Sequence, residues 1–367
     1  MGSGIFLKKL IKTILPKKLF VHLKRVLEMI DLVFISLFSK SGLSSMLYYT
    51  FFSRQFRREC QSVLKGRLKY HQGVLEQHEV SALLRRNTHR LEKGLSMKPR
   101  REIFAEDYIL ETVETLRPYK DSSKVSDETK WIFDVLDNYF ESVSSSPSID
   151  KASKIYDELK DGLLYRSIQK IGPKKFIPYQ RKNSEQSDIK FDSFIKLCKQ
   201  RRSVRWYEDK VVSDELIKNA ISAATFAPSA CNRQPFYYLL FKGPEAQKIS
   251  SVAMGTAGYS HNINHVMIVI GRLDLYPSER DRHVIYIDAA LSAMSFMFAL
   301  ETLELASCPI NWPDIEFKEK QLSNLLQLKN EERPIMMISF GYPDPNGSIP
   351  YSQKKSVEQI LRTAKQT

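Results

Sequence analysis

Cysteine is scarce in this chain. Cys60, Cys198, Cys231 and Cys308 are the only four in 367 residues, widely scattered and without a CxxC pair. That spacing excludes a zinc ribbon and a disulfide framework, and a reducing compartment is the easier reading. Histidine adds little: the seven include no HExxH, and His261 with His265 is the one i,i+4 pair, with no acidic partner nearby. We read that pair as surface or pocket lining, so no metal is expected. A GxGxxG fingerprint is absent, as is the aromatic stacking platform of an RRM or OB fold. The N-terminal part offers no clean membrane span either. Its most apolar stretch, VLEMIDLVFISLF from Val26 to Phe38, contains Glu28 and Asp31 and is too short to cross a bilayer. The same acids make a cleaved signal peptide a poor fit.

Acidic residues are outnumbered. With 56 Lys plus Arg against 42 Asp plus Glu the formal charge is +14, compatible with nucleic acid, an anionic membrane face or anionic ligands. Hydrophobic content of 43% with 27% charge is ordinary for a soluble globular protein. The length allows two domains, or one with a sizeable appendage. The first 25 residues carry seven Lys or Arg and no acid, with Phe6, Leu7, Leu10, Ile11, Ile14 and Leu15 set against Lys8, Lys9 and Lys12. This is a basic amphipathic helix broken near Pro16. Residues 1–40 are therefore expected to attach to an anionic membrane face, or else to dock on the rest of the protein. The corresponding location is cytoplasmic, peripheral on the inner face of the membrane.

Four regions follow: a basic amphipathic and apolar helical segment at 1–60, a charged helical region at 61–170, a linker at 171–190 and a folded domain at 191–367. In the second region, Arg85 to Arg101 holds seven basic side chains and one acid, Glu92, with Gly94 and Pro99 breaking the helix. Such a cluster suits RNA, lipid head groups, an anionic substrate or a salt-bridged surface. Without stacking aromatics, nucleic acid is the weaker expectation. The linker, IGPKKFIPYQRKNSEQSD, is rich in Pro, Lys and polar residues.

Beyond it the texture changes. Phe191 to Gln200 is apolar at helical spacing, and Ser213 is a plausible N-cap for a helix from Asp214 that ends ahead of Pro228, with Val212 and Ile217 placed as a hydrophobic staple. Strand-like runs appear at Phe236–Phe241, His265–Gly271 and Pro334–Phe340. Between the last two, Asp288 to Leu305 is apolar on nearly every face, predicting a helix buried in a core or at a dimer interface. Helices alternating with a few strands make this an α/β or α+β domain.

Two stretches carry chemistry. RRSVRWY at 201–207 places Arg201, Arg202, Ser203 and Arg205 together, a set of donors suited to a phosphate or another dianion. The alternative is a solvated basic helix end. In APSACNRQPFYY at 227–238, Pro228 and Pro235 hold an irregular loop on which Ser229, Asn232 and Gln234 supply neutral donors and acceptors, suited to the edge of a heteroaromatic ring. ELASCPINW at 304–312 adds small residues that let backbone approach a ligand, and GYPDP at 341–345 turns toward YSQKKS.

In order and spacing, RRSVRWY, APSACNRQPF, YIDAALSAMSFMFALETL and PIMMISFGYPD with its KKS tail resemble the FMN-dependent nitroreductase superfamily over about Phe191 to Leu361. The resemblance implies an α+β homodimer: a three-layer domain with a central, mostly antiparallel sheet and a buried helix, here preceded by a mainly helical N-terminal region. By position, Arg201, Arg202 and Ser203 would hold the FMN phosphate, completed by Lys354 or Lys355. Arg205 would lie near N1 and O2 of the ring, where a fixed cation favours the reduced, anionic flavin. Pro228, Ser229 and Asn232 would contact the partner subunit's flavin, with Gln234 nearby, and Ser307 and Cys308 fall where the family's backbone approaches the flavin edge near N5. Electrons would pass from NAD(P)H through FMN to a small-molecule substrate, with Tyr259, His261 or water supplying protons. Where many members have Gly-Leu-Gly after the central helix, this chain has Glu304, Leu305 and Ala306, so altered backbone geometry is expected there. Pro309 and the Asn311-Trp312 pair replace a more usual aromatic, which bears on substrate access. The changes around Glu304 to Ala306 and the large basic appendage motivate a rival reading, a membrane-associated dimeric scaffold or binding protein with a redox-silent domain. The N-terminal extension with HRLEKGLSMKPRR resembles a subgroup found beside bacterial surface-polysaccharide genes, implying a role in that metabolism.

Overall fold

Pro16, with φ near −55°, leads into α1 (Lys17–Phe38). A computed structural model describes residues 16–72 and 81–363, so the amphipathic pattern before Pro16 lies outside the described residues. Ser41 and Ser44 form a reciprocal capping box that opens α2 (Gly42–Leu47), which runs into a π-helical turn at Tyr48–Phe52. α3 (Arg57–Gln72) then packs on the C-terminal domain. Its Val63 joins that domain's core beside Leu273, and a Cβ at Gly66 would fall 2.7 Å from Leu273 backbone, so the helix needs glycine at this crossing. Arg58 donates twice to the Glu316 carboxylate at 3.0 Å.

A separate helical core follows, built by α4 (Ala82–Leu95), α5 (Ile109–Leu116), α6 (Asp127–Ser142), α7 (Pro147–Lys160) and α8 (Leu163–Ile168). Capping defines its starts: Ser126 and Thr129 form a capping box on α6, and Ser146 precedes Pro147 at the first turn of α7. Leu84, Leu91, Val113, Phe133, Tyr139 and Tyr156 are among the buried side chains at its centre. One ion pair is buried with them. Lys130 donates to Asp134 at 2.6 Å, and Asp134 also accepts the Phe176 backbone N–H at 2.8 Å, which fastens the start of the 171–190 segment to this core.

The C-terminal domain comprises α9 (Phe191–Gln200), α10 (Asp214–Ala224), β1 (Phe236–Lys242), α11 (Gly243–Ser250), β2 (His265–Arg272), α12 (Val284–Thr302), β3 (Ala306–Asn311), α13 (Glu316–Leu326) and β4 (Glu332–Gly341). The expected cap is present, with the Ser213 hydroxyl accepting from the Leu216 N–H. The four strands form one antiparallel sheet in the order β1-β2-β4-β3. Alternate residues sort to its two faces: Met267, Val269, Ile338 and Phe340 pack under α10 and α12, while Val266, Ile268, Ile270 and Met337 pack under α11 and α13. This is the expected three-layer α+β arrangement, and burial on both faces explains why β2 and β4 read as continuous apolar runs.

One feature differs from expectation: ELASCPINW contains a strand, β3, with a proline at Pro309, which sits at the sheet edge where a missing N–H is tolerated. On α12, Ile285, Ala289, Phe296 and Leu300 are buried within the chain, while Ile287 and Leu291 are exposed on it. α9 lies beside it, with the Phe194 and Phe298 rings 6.0 Å apart and Phe191 open to solvent.

Candidate functional site

The chain leaves α9 at Arg201 and runs extended along the free edge of β3. Ser203 bridges Ser307 in parallel fashion, and the Val204 N–H donates to the Ser307 carbonyl at 3.1 Å. Tyr207 anchors the other end. Buried at 4% exposure, its hydroxyl lies 2.7 Å from the Val204 carbonyl and 3.0 Å from Ser339 Oγ. Burial pushes this phenol well above its ordinary range, so it stays neutral and serves as a hydrogen-bonding post. With Val204 and Tyr207 turned into the fold, Arg201, Arg202, Ser203 and Arg205 remain half-buried.

Around this segment polar groups are left open. Ser307 Oγ is buried and has no hydrogen-bond partner among the described residues; the same holds for Glu301 Oε1. Glu301 Oε2 accepts from Gln200 at 3.3 Å, and burial raises the acid's pKa despite the nearby Arg201. Cys308 is buried and burial pushes its thiol up, so it is no nucleophile. Tyr259, its hydroxyl 4.0 Å from Cys308 Sγ, is pushed up to about 12 by burial first and the thiol second. The Arg205 guanidinium stands 5.7 Å from the Tyr259 ring centroid. Arg205, Tyr259 and Cys308 thus form one group beside Ser203. His261 is exposed on a turn, with its ring 6.0 Å from Trp206. His265 begins β2, where its Nε2 accepts the Val212 N–H at 3.2 Å, so their spacing is not that of one helix face.

Arg202 is turned toward the C-terminal tail. It donates to the carbonyls of Pro350 and Tyr351, and so ties down the segment that carries Lys354 and Lys355. Both lysines are exposed, and neither makes an ion pair among the described residues.

The second candidate stretch is a left-handed loop. Cys231, Asn232 and Gln234 have φ of 54°, 50° and 48°, a region that costs a non-glycine residue about 1–2 kcal/mol. Its supports come from far away in sequence. The Asp288 carboxylate accepts the Ala230 N–H at 2.9 Å, and Arg233 is buried with its guanidinium 4.7 Å from the Tyr276 ring. Arg85, from α4 of the helical core, donates to the Asn232 carbonyl, to Gln234 Oε1 at 2.9 Å and to Glu128. Ser229 Oγ accepts the Gln234 N–H at 3.0 Å, and Gln234 Nε2 donates to the Thr225 carbonyl at 2.8 Å. The Gln234 amide is thereby engaged at both ends in holding the loop. Pro228 is exposed; Ser229 and Asn232 are half-buried, and the Asn232 amide makes no hydrogen bond among the described residues.

Within one chain these stretches are not brought together. The loop feeds β1 at Phe236, whereas Ser203 bridges Ser307 on β3, the opposite edge of the sheet. They also lie at opposite ends, because Phe236 pairs with Gly271 while the row of Ser307 and Phe340 lies beyond that of Phe241, Val266 and Ser339. Crossing the sheet at ~4.8 Å per strand and ~3.4 Å per residue gives a diagonal of roughly 25 Å.

After α12 the backbone turns through a left-handed residue. Glu304 takes φ 61°, the Leu305 N–H donates to the Leu300 carbonyl at 2.9 Å and the Glu304 N–H to the Glu301 carbonyl at 3.3 Å. This is a Schellman ending, with glutamate where glycine is favoured. Trp312 is a packing residue, buried under α13 with its indole N–H donated to Glu319. The supports Arg85, Arg233, Asp288 and Tyr207 were not singled out from sequence. A lone acid in an apolar helix was the available signal for Asp288; Arg85 was visible only as one of a basic cluster.

The profile of the nitroreductase family matches residues 198–260 and 261–342. An Archaeoglobus fulgidus protein provisionally named an NADH dehydrogenase/NAD(P)H nitroreductase is 28% identical over 151 residues, covering 41% of this chain and 84% of its own. An iodotyrosine deiodinase of Haliscomenobacter hydrossis is 23% identical over 222 residues, covering 51% and 96%. Among solved structures, an FMN-dependent nitroreductase from Clostridium difficile matches with TM-score 0.40 at 20% identity, covering 46% of this chain and 99% of its own. A provisionally named nitroreductase from Desulfovibrio desulfuricans, in complex with FMN, matches with TM-score 0.40 at 22% identity, covering 46% and 95%. The C-terminal half of the chain carries a nitroreductase family domain.

Proposed function

We propose that this domain binds FMN and uses it to carry electrons from NAD(P)H to a small-molecule acceptor, as a homodimer with two shared sites. The observation that carries the reading is the open polar surface beside RRSVRWY: a buried Ser307 hydroxyl without a partner, flanked by Ser203, Arg201 and Arg205 on a pinned, extended strand. That donor set fits a phosphorylated, heteroaromatic ligand. Arg201 and Ser203 would hold the phosphate, with Lys354 or Lys355 brought near by the Arg202 tether. Arg205, fixed beside Tyr259, would supply positive charge at the ring. Tyr259 keeps its proton at neutral pH and could donate a hydrogen bond or a proton to a bound acceptor. When bound, FMN supplies the hydride-accepting chemistry that no side chain here provides.

The dimer is supported by two further facts. The loop at 228–234 lies roughly 25 Å from Ser203 within one chain, so both can face one flavin only if they come from different subunits. The apolar residues left open on α9 and α12, Phe191, Phe194, Ile287 and Leu291, offer a surface for that pairing.

The test is the visible spectrum of the purified protein before and after anaerobic NADPH or NADH. Flavin bands that bleach on addition support the reading. A colourless protein that takes up no added FMN refutes it. Arg201→Ala should weaken FMN binding at least roughly tenfold, since a hydrogen bond to a charged group contributes about 1.5–3 kcal/mol. An equal mixture of Arg201→Ala and Asn232→Ala chains should regain binding, because a mixed dimer holds one site with both halves intact; no regain would refute the shared site.

A further inference from the structure

We propose that the helical hairpin at residues 26–57 embeds in the interface of an anionic lipid bilayer. The proposal does not rest on the flavin reading, and it moves the membrane contact from the basic first residues to a folded element that includes α2 and the π-helical turn.

No described residue from Val26 to Arg57 is buried. Val33, Leu43 and Phe51 are 66%, 67% and 72% exposed, and Met29, Ile30, Leu32, Ile35 and Leu37 are open as well. Those positions point in every direction around α1. A partner helix would cover one stripe of it; a lipid interface reaches far more of the surface.

The hairpin is nevertheless ordered by its own contacts. The Phe52 ring lies 5.7 Å from Phe34 and 5.3 Å from Phe38, and Tyr48 lies 5.7 Å from Phe38, so the chain doubles back along α1. Several of its hydroxyls are satisfied internally. Ser44 and Ser45 donate to the Phe38 carbonyl at 2.8 and 2.9 Å, Ser39 to Ser36 at 3.3 Å and Thr50 to Met46 at 2.8 Å. Leaving such groups unpaired would be costly in an apolar medium.

Charge selects the lipid. Lys18 and Arg25 precede the apolar stretch on α1, and Arg54 and Arg57 follow the π-helical turn, so basic residues flank the hairpin and outnumber Glu28 and Asp31 within it. Val26–Phe38 rises about 20 Å at ~1.5 Å per residue, short of the ~30 Å hydrocarbon core. With Glu28, Asp31 and Lys40 along it, the hairpin lies in the interface instead of crossing, its apolar side chains reaching ~5–10 Å inward.

The experiment uses the full chain with phosphatidylcholine vesicles, with and without phosphatidylglycerol. We expect co-sedimentation with the anionic vesicles, at least roughly tenfold loss of partitioning in Val33→Glu/Phe51→Glu, and unchanged helicity by circular dichroism. A Phe51→Trp chain should gain indole emission that shifts to shorter wavelength and is quenched by brominated lipid. Protein that stays in solution, or binds neutral vesicles equally well, overturns the proposal. So does a Phe51→Trp emission already shifted without lipid in an oligomer that Val33→Glu disperses; a second copy then covers the hairpin.

Discussion

Replacing Glu304 by glycine should make the C-terminal domain more stable, although the substitution deletes a side chain. Glu304 is exposed and makes no hydrogen bond through its carboxylate among the described residues. Its backbone, however, holds φ at 61° to let the Leu305 N–H reach the Leu300 carbonyl. An L-residue loses about 1–2 kcal/mol in that region. Glycine avoids the cost but has more freedom to lose on folding, which offsets about 0.5–1 kcal/mol. The net expectation is about 0.5–1 kcal/mol of stabilisation, or a melting temperature about 2 °C higher for a domain of this size.

The change must be read in the right domain. In a Trp131→Phe background the remaining tryptophans, Trp206 and Trp312, both belong to the sheet domain, so indole fluorescence follows its unfolding alone. Glu304→Ala keeps the left-handed penalty and should sit near the parent. Glu304→Val adds a β-branch in that region and should fall below it. If glycine and alanine prove equal, or glycine destabilises, the strained helix ending is not as described.

The other predictions concern the supports of the fold. Arg85→Ala should loosen the 228–234 loop while leaving the sheet intact, raising the FMN dissociation constant roughly tenfold for the loss of charge-assisted bonds; titration by flavin fluorescence reads this, and unchanged affinity would detach the helical core from the site. Asp134→Ala strands a buried Lys130 and should cost the helical domain about 3–5 kcal/mol, measured by urea unfolding in a chain where Trp131 is the only indole; a cost below 1 kcal/mol would refute the buried pair. His265 has its pKa lowered below 6.5, by burial first and Lys242 second. The unfolded chain therefore takes up a proton that the folded one resists. The contribution is complete above pH 6.5 and is lost as pH falls toward the folded pKa, with a slope of at most ~1.4 kcal/mol per pH unit. His265→Gln should flatten that acid limb, and an unchanged limb would count against it.

What the sequence made legible was local. Strands β1, β2 and β4 were visible because both faces are buried and their runs are uniformly apolar; α10 was visible from its cap at Ser213. β3 was hidden because Ala306, Ser307 and Cys308 are small and Pro309 is a poor strand former, and the segment becomes a strand only by pairing with β4. The arginines of RRSVRWY were read from sequence as an anion site. The tether that Arg202 makes was not legible, since its partners at Pro350 and Tyr351 lie nearly 150 residues away.

The same limit applies more strongly to the loop. Its hydrogen-bonding residues could be named from APSACNRQPF, but not what keeps Cys231, Asn232 and Gln234 in a left-handed conformation. That strain persists because Asp288, Tyr276 through its stacking with Arg233, and Arg85 hold the loop from three separate segments. Gln234, read as a ligand contact, is instead occupied at both ends of its amide by Thr225 and Arg85. The arginine that looked like surface charge in the α4 cluster therefore joins the helical core to the loop. The N-terminal region is thus built into the geometry of the candidate site, and its basic residues divide between that internal role and the exposed surface.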